Sequence, residues 1–151
     1  MTSVEFRGLD VERARYEEFL DELTGLPTWT LLLDRTTVAL ARARRTGNEI
    51  AVFVLEDPRI GRRARDLAGV AGILQAKLRP DDTLARIGER RLAVVLNEIR
   101  VDSDAASVAR RLIYTAGIVC GLGVAMGGID DTPESTIARA MREAVRTTPT
   151  A

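Results

Sequence analysis

The sequence contains no histidine, a single cysteine and only 4% aromatic residues. Without imidazole, histidine general bases and histidine-ligated metal sites are excluded, so any chemistry must come from carboxylates, lysine, the thiol or hydroxyls. One cysteine, Cys120, cannot form an intrachain disulfide, and a cytoplasmic location is the default expectation. Net charge is also missing. The 22 basic and 22 acidic residues cancel, leaving no bulk field to gather a nucleic acid polymer or an anionic membrane. The longest apolar run, IVCGLGVAMGGI from Ile118, is too short and too rich in glycine to span a bilayer. The opening MTSVEFRGLD lacks the basic-then-apolar pattern of a signal peptide.

What is present is ordinary globular material. With 46% apolar and 29% charged residues among 151, the chain can build one domain with a real core. Val11, Ala14, Phe19, Leu20 and Leu23 fall near helical spacing and predict a leading helix from Asp10, broken by TGLP at Thr24–Pro27. A second helix is expected over Trp29–Arg45, ended by TGN. The unbroken β-branched and aromatic run Ile50–Leu55 reads as a buried strand. Pro58 and Gly61 mark a loop, and a helix from about Arg63 to Leu78 is stopped by Pro80. Two strands, Thr83–Ile87 and Leu92–Leu96, flank a charged turn. Ser103 is a plausible N-cap for a helix reaching about Ala116. GIVCGLGVAMGG then gives a fourth strand, and DTPESTIARAMREAVR a last helix with Pro133 in its first turn.

After the leading helices the order is strand, helix, strand, strand, helix, strand, helix. This predicts an α+β, ferredoxin-like (cyclase palm) domain: a central antiparallel sheet with helices packed on one face. The expected organisation is a helical lead-in over residues 1–20, the domain over 21–147 and a loose tail over 148–151.

Three separated stretches, in order, resemble the GGDEF family, whose active members are diguanylate cyclases. DELTGLP, Asp21–Pro27, is similar to the D-x-L-T-G-L-P motif at the family's start. LRPDDTLARIGERRLAVVL resembles R-x-x-D followed by D-x-x-A-R-x-G-G-D-E-F and an apolar strand. GLGVAMGG, Gly121–Gly128, resembles the S-I-G-V-A strand. The likeness runs from about Asp21 to Arg146. It implies a palm domain that, in active members, pairs as a homodimer and condenses two GTP into cyclic di-GMP by two-metal phosphoryl transfer.

Position by position, the resemblance also implies that this chemistry is gone. Gly88, Glu89, Arg90, Arg91 and Leu92 stand where the family has G-G-D-E-F, so both acidic positions are arginine. A guanidinium cannot ligate a cation, and it reverses the local charge. Use of Glu89 through a one-residue slip would turn the strand's side chains to the wrong faces. Glu56 matches the family's strand-end metal carboxylate, with Asp57 beside it, and their bland reading is solvated charge. PRIGRRARDLAGVAG replaces the guanine-contacting segment without its Asn, and Val145 falls at the phosphate-binding Lys. No catalytic residue, no metal ligand set, no cofactor and no enzymatic activity are expected.

Arg79, Pro80, Asp81 and Asp82 keep the family's product-binding R-x-x-D, five residues ahead of Gly88. Arg79 suits a phosphate or a guanine edge, and Asp82 suits the guanine N1 and N2 donors. The same four residues also read as a helix stop: a late cation, a proline and turn-forming aspartates. Arg90 and Arg91 read either as a metal-free phosphate clasp or as an exposed hairpin tip. Arg59, Arg62, Arg63 and Arg65 read as a solvated loop and helix start. Two functions therefore stand open. One is an inactive signalling module binding cyclic di-GMP through Arg79 and Asp82. The other is a ligand-free domain that docks to a protein such as an active cyclase, or to a second copy. With about twenty residues ahead of Asp21, no upstream sensor domain is expected, and their apolar stripe is expected to pack on its own domain.

Overall fold

The computed structural model describes residues 19–56, 64–100 and 104–149. Its centre is β1 (Glu49–Glu56), in which every residue from Ile50 to Leu55 is buried. Side chains alternate between faces along a strand, so six consecutive buried apolar residues require cover on both sides. The four-stranded sheet runs β2-β3-β1-β4, with β2 at Thr83–Gly88, β3 at Arg91–Ile99 and β4 at Gly121–Gly127. All neighbouring strands are antiparallel.

The cover comes from four helices: α1 (Trp29–Thr46), α2 (Ala64–Lys77), α3 (Ala105–Ala116) and α4 (Pro133–Arg146). Phe53, Leu55, Leu92 and Val94 pack with Leu67 and Leu74 of α2 and Ala109 of α3. On the opposite face Val52, Val54, Ala93 and Val95 pack with Leu32 and Leu40 of α1 and Ile137 of α4. The α+β ferredoxin-like expectation holds, but its one-sided packing is corrected: the sheet is a middle layer. The unbroken apolar character of β1 carries that signal, since a one-sided sheet would alternate apolar with polar. Among the described residues no helix is long and apolar enough to cross a membrane.

Phe19–Leu23, expected as the end of a leading helix, is instead turn and bridge, while the helix's earlier residues lie outside the described ones. Leu20 bridges Pro27, and both the amide and the hydroxyl of Thr28 donate to the Phe19 carbonyl, at 2.8 and 2.9 Å. These cross-links fold the segment back on itself, which a continuing helix could not do. Gly25, at φ +70, supplies the left-handed residue that this reversal needs. The α3 cap is Asp104, whose carboxylate accepts from the Ser107 amide; the expected cap Ser103 lies outside the described residues. The last helix matches its expected start, with Pro133 in the first turn and a Thr132–Ser135 capping box.

β4 explains its glycines. Gly121, Gly123, Ala125 and Gly127 alternate on the buried side of the strand. A Cβ on Gly123 would stand 1.7 Å from the Ala140 carbonyl oxygen, and one on Gly121 would stand 2.1 Å from that of Ala144. Helix α4 lies directly against the strand because nothing larger than hydrogen intervenes.

Candidate functional site

The hairpin between β2 and β3 turns on two residues, Glu89 and Arg90, with Gly88 opposite Arg91. Gly88, Glu89 and Arg90 are exposed and Leu92 is fully buried. Arg91 is different. It faces Glu56 in the β1–β3 register, and its Nε donates to Glu56 Oε2 in an ion pair only 24% and 21% exposed. Arg91 and Glu56 thus neutralise one another at the end of the central strand. Among the described residues no three His, Cys, Asp or Glu come together as a cation site. Asp57 lies outside the described residues.

Behind the turn stands Arg86, a residue whose role the sequence does not announce although it belongs to the A-R-x-G stretch. Its guanidinium donates to Asp21 at 3.1 and 3.3 Å, to the Gly88 carbonyl at 3.3 Å and to the Glu89 carbonyl at 3.0 Å. Its own amide donates to the Pro27 carbonyl at 2.9 Å. Asp21 in turn accepts from the Thr24 amide at 2.9 Å and hydroxyl at 2.7 Å. Burial works against the Asp21 charge, but the Thr24 hydrogen bonds and the Arg86 guanidinium outweigh it and hold the carboxyl below its usual range. DELTGLP is therefore a clip that fixes the β2–β3 turn and the start of α1 to one another.

Arg79 and Asp82 are brought together. The Asp82 side chain is 2% exposed and accepts four bonds: from the Arg79 amide (3.0 Å), Nε (3.3 Å) and Nη2 (3.3 Å), and from the Asn97 amide (3.1 Å). Four bonds saturate a carboxylate. Asp82 is thus committed to orienting Arg79 and stitching the end of α2 to β3. Arg79 also donates to the Asn97 carbonyl at 2.7 Å, yet its side chain remains 58% exposed.

That guanidinium stands on the rim of a cleft of about 440 Å³, lined also by Lys77, Arg100, Val108 and Leu112. Glu98 also lines it but pairs with Arg42 at 3.8 Å, so three cations over an apolar floor suit an anion. As the residue after β3, Arg100 carries no motif that would mark it in the sequence. Val145 is 54% exposed on α4. Arg59, Arg62 and Arg63 lie outside the described residues, and Arg65 falls within α2.

No protein-family model matches the chain. Among curated proteins it is 34% identical over 102 residues to the bifunctional diguanylate cyclase/cyclic di-GMP phosphodiesterase MucR of Pseudomonas aeruginosa. The match covers 62% of this chain but 15% of that protein, so the chain corresponds to a small part of that relative. The diguanylate cyclase SiaD of Pseudomonas aeruginosa, solved with its activator SiaC, superposes with a TM-score of 0.74 at 22% identity, covering 95% of this chain and 64% of that one. The coiled coil and GGDEF domain of DgcB from Caulobacter crescentus, solved with c-di-GMP, also gives 0.74, at 19% identity over 92% and 85%. The fold of this chain is that of GGDEF diguanylate cyclase domains.

Proposed function

We propose that this chain, a domain of the GGDEF fold, is a regulatory module without cyclase chemistry that takes cyclic di-GMP at Arg79. The observation that carries the first half is the Arg91–Glu56 ion pair. Two-metal phosphoryl transfer needs carboxylates free to hold cations. Here the strand-end carboxylate is neutralised by a tethered side chain that stays protonated. In this reading the Arg91 guanidinium takes the place of a divalent ion beside Glu56.

The second half rests on the cleft. Arg79 presents an oriented, half-exposed guanidinium beside Lys77 and Arg100. Cyclic di-GMP, a dianion carrying two planar guanine rings, fits that chemistry. In this reading Arg79 contacts the ligand and Asp82 holds Arg79 in place. The expected domain lies over 21–147.

A second reading is favoured by the saturation of Asp82. The R-x-x-D residues have a full set of bonds within the chain, so their presence does not require a ligand. The domain would then act by docking to a protein.

Two assays on wild type, Arg79→Ala and Arg100→Ala test the proposal. Incubation with GTP and magnesium or manganese is expected to give no cyclic di-GMP. Equilibrium dialysis is expected to give metal-independent binding of cyclic di-GMP, weakened at least about tenfold in both variants. Arg100→Ala leaves the Asp82 bonds intact, and a thermal melt of each variant separates loss of the cleft from loss of folding. Turnover of GTP would overturn the first half, and binding unchanged in both variants the second.

A further inference from the structure

Guanine presents two edges that an Arg–Asp pair can read. Its N1 and N2 donors call for a free acceptor, and its O6 and N7 acceptors call for a fork of two parallel N–H groups. Asp82 cannot be that acceptor. Its side chain is 2% exposed, and the Arg79 and Asn97 donors fill its four acceptor sites. It also lines a second cleft of about 440 Å³, on the α1 face of the sheet beside Val38, Ala39 and Val95, and offers a free carboxylate to neither.

Arg79 cannot supply the fork. Its Nε donates to Asp82 Oδ2, and the two N–H groups of Nη2 go to Asp82 Oδ1 and to the Asn97 carbonyl. Parallel N–H pairs on a guanidinium join Nη2 either to Nε or to Nη1, so every fork includes a spent group. Only Nη1 is left, and its two N–H groups diverge. The rest of the lining supplies no substitute. Glu98, the other carboxylate there, pairs with Arg42, and among the described residues no hydroxyl side chain and no side-chain amide lines this cleft. A ligand therefore meets positive charge from Arg79, Lys77 and Arg100, and apolar surface from Val108 and Leu112. Cations hold a phosphate whatever base it carries, and apolar surface accepts the ring face of either purine.

We propose that the Arg79 cleft recognises the phosphates of a purine cyclic dinucleotide and not its bases, and so takes cyclic di-GMP and cyclic di-AMP alike. This rests on the reading of the cleft as a cyclic di-GMP site and widens the ligand class from one molecule to a family of dianions. Asp82 is a positioning residue in this account. By taking up Nε and Nη2 it aims Arg79 Nη1 outward, and it spends in doing so the groups that would tell guanine from adenine.

Calorimetric titration of the wild-type protein with cyclic di-GMP and, in parallel, with cyclic di-AMP tests this. The two ligands share ring and charge and differ in their base edges. Dissociation constants within about threefold of one another are expected, because a site that reads a base through a bidentate contact separates the two by about tenfold or more. Lys77→Ala, which leaves every Asp82 bond in place, should weaken both ligands by the same factor. A preference of about tenfold or more for either base would overturn the proposal while leaving the cleft a cyclic dinucleotide site. So would a loss in Lys77→Ala confined to one ligand. Failure of both ligands to bind would overturn the cyclic di-GMP reading itself, and this inference with it.

Discussion

At the scale of the residue, the decisive change is one charge reversal. Arg91 pairs with Glu56, and in the proposed reading it is an internal cation where metal chemistry would need an exchangeable one. Replacing it with a carboxylate makes the consequence measurable. Arg91→Glu should lower the thermal midpoint in EDTA, because like charges directly opposite one another across strands are destabilising. Added magnesium or manganese should restore it in the variant and leave wild type unmoved. Asp82 makes the complementary point. As a nearly inaccessible carboxylate with four donors aimed at it, it cannot be exchanged for its own amide without turning N–H groups against N–H groups. Asp82→Asn is expected to cost about 2–4 kcal/mol, read as a lower urea midpoint. Neither role is visible in a motif, which states residue types and spacing but not whether a side chain faces a ligand or its own chain.

At the scale of the element, small residues decide where helices lie. Gly123→Ala would drive a methyl into the Ala140 carbonyl and force β4 from α4, at the upper end of the roughly 1–3 kcal/mol usual for overpacking. Gly69 offers a contrast. It lies within α2, and a methyl group there would meet nothing within 4 Å, so Gly69→Ala should stabilise by about 0.5–1 kcal/mol in the same denaturation measurement. Most elements are legible in the sequence because period and punctuation agree: α1 ends at Gly47, β1 is an apolar run, and α4 opens with Thr132 and Pro133. The failures have physical causes. Phe19–Leu23 has helical spacing, but tertiary ties to Pro27 and Thr28 override it. The two-sided packing is written in β1 and in the Gly-x-Gly-x-Ala-x-Gly of β4, yet the ferredoxin-like order alone suggests one covered face. In the site, the reversed charges at Arg90 and Arg91 are readable. Arg86, Asn97 and Arg100 are not, because their significance arises from neighbours up to 65 positions away that only the fold brings near.

At the scale of the whole molecule, a few cross-links hold the periphery to the sheet. The Asp21–Arg86 pair ties the segment ahead of α1 to β2 and to the β2–β3 turn. Its carboxyl titrates lower in the folded chain than its ordinary value of 3.8, so its contribution is fully present above that value and is lost as pH falls through the folded one. Asp21→Asn should therefore be less stable than wild type at neutral pH, and the gap should close on acidification below about pH 3.8, as followed by thermal melts across pH. On the sheet's two faces the clefts meet at one residue, since Asp82 lines both. The molecule is thus a three-layer domain with the Arg91–Glu56 ion pair at one end of the sheet and two open clefts on opposite faces.

Central to this picture is a chain that reads cyclic di-GMP without metal and without turnover. Isothermal titration of the wild-type protein with cyclic di-GMP in EDTA tests this most directly. Saturable, micromolar binding with no divalent ion present is the expected result. A flat titration would contradict it, and would leave a domain whose R-x-x-D residues serve only to fasten α2 to β3.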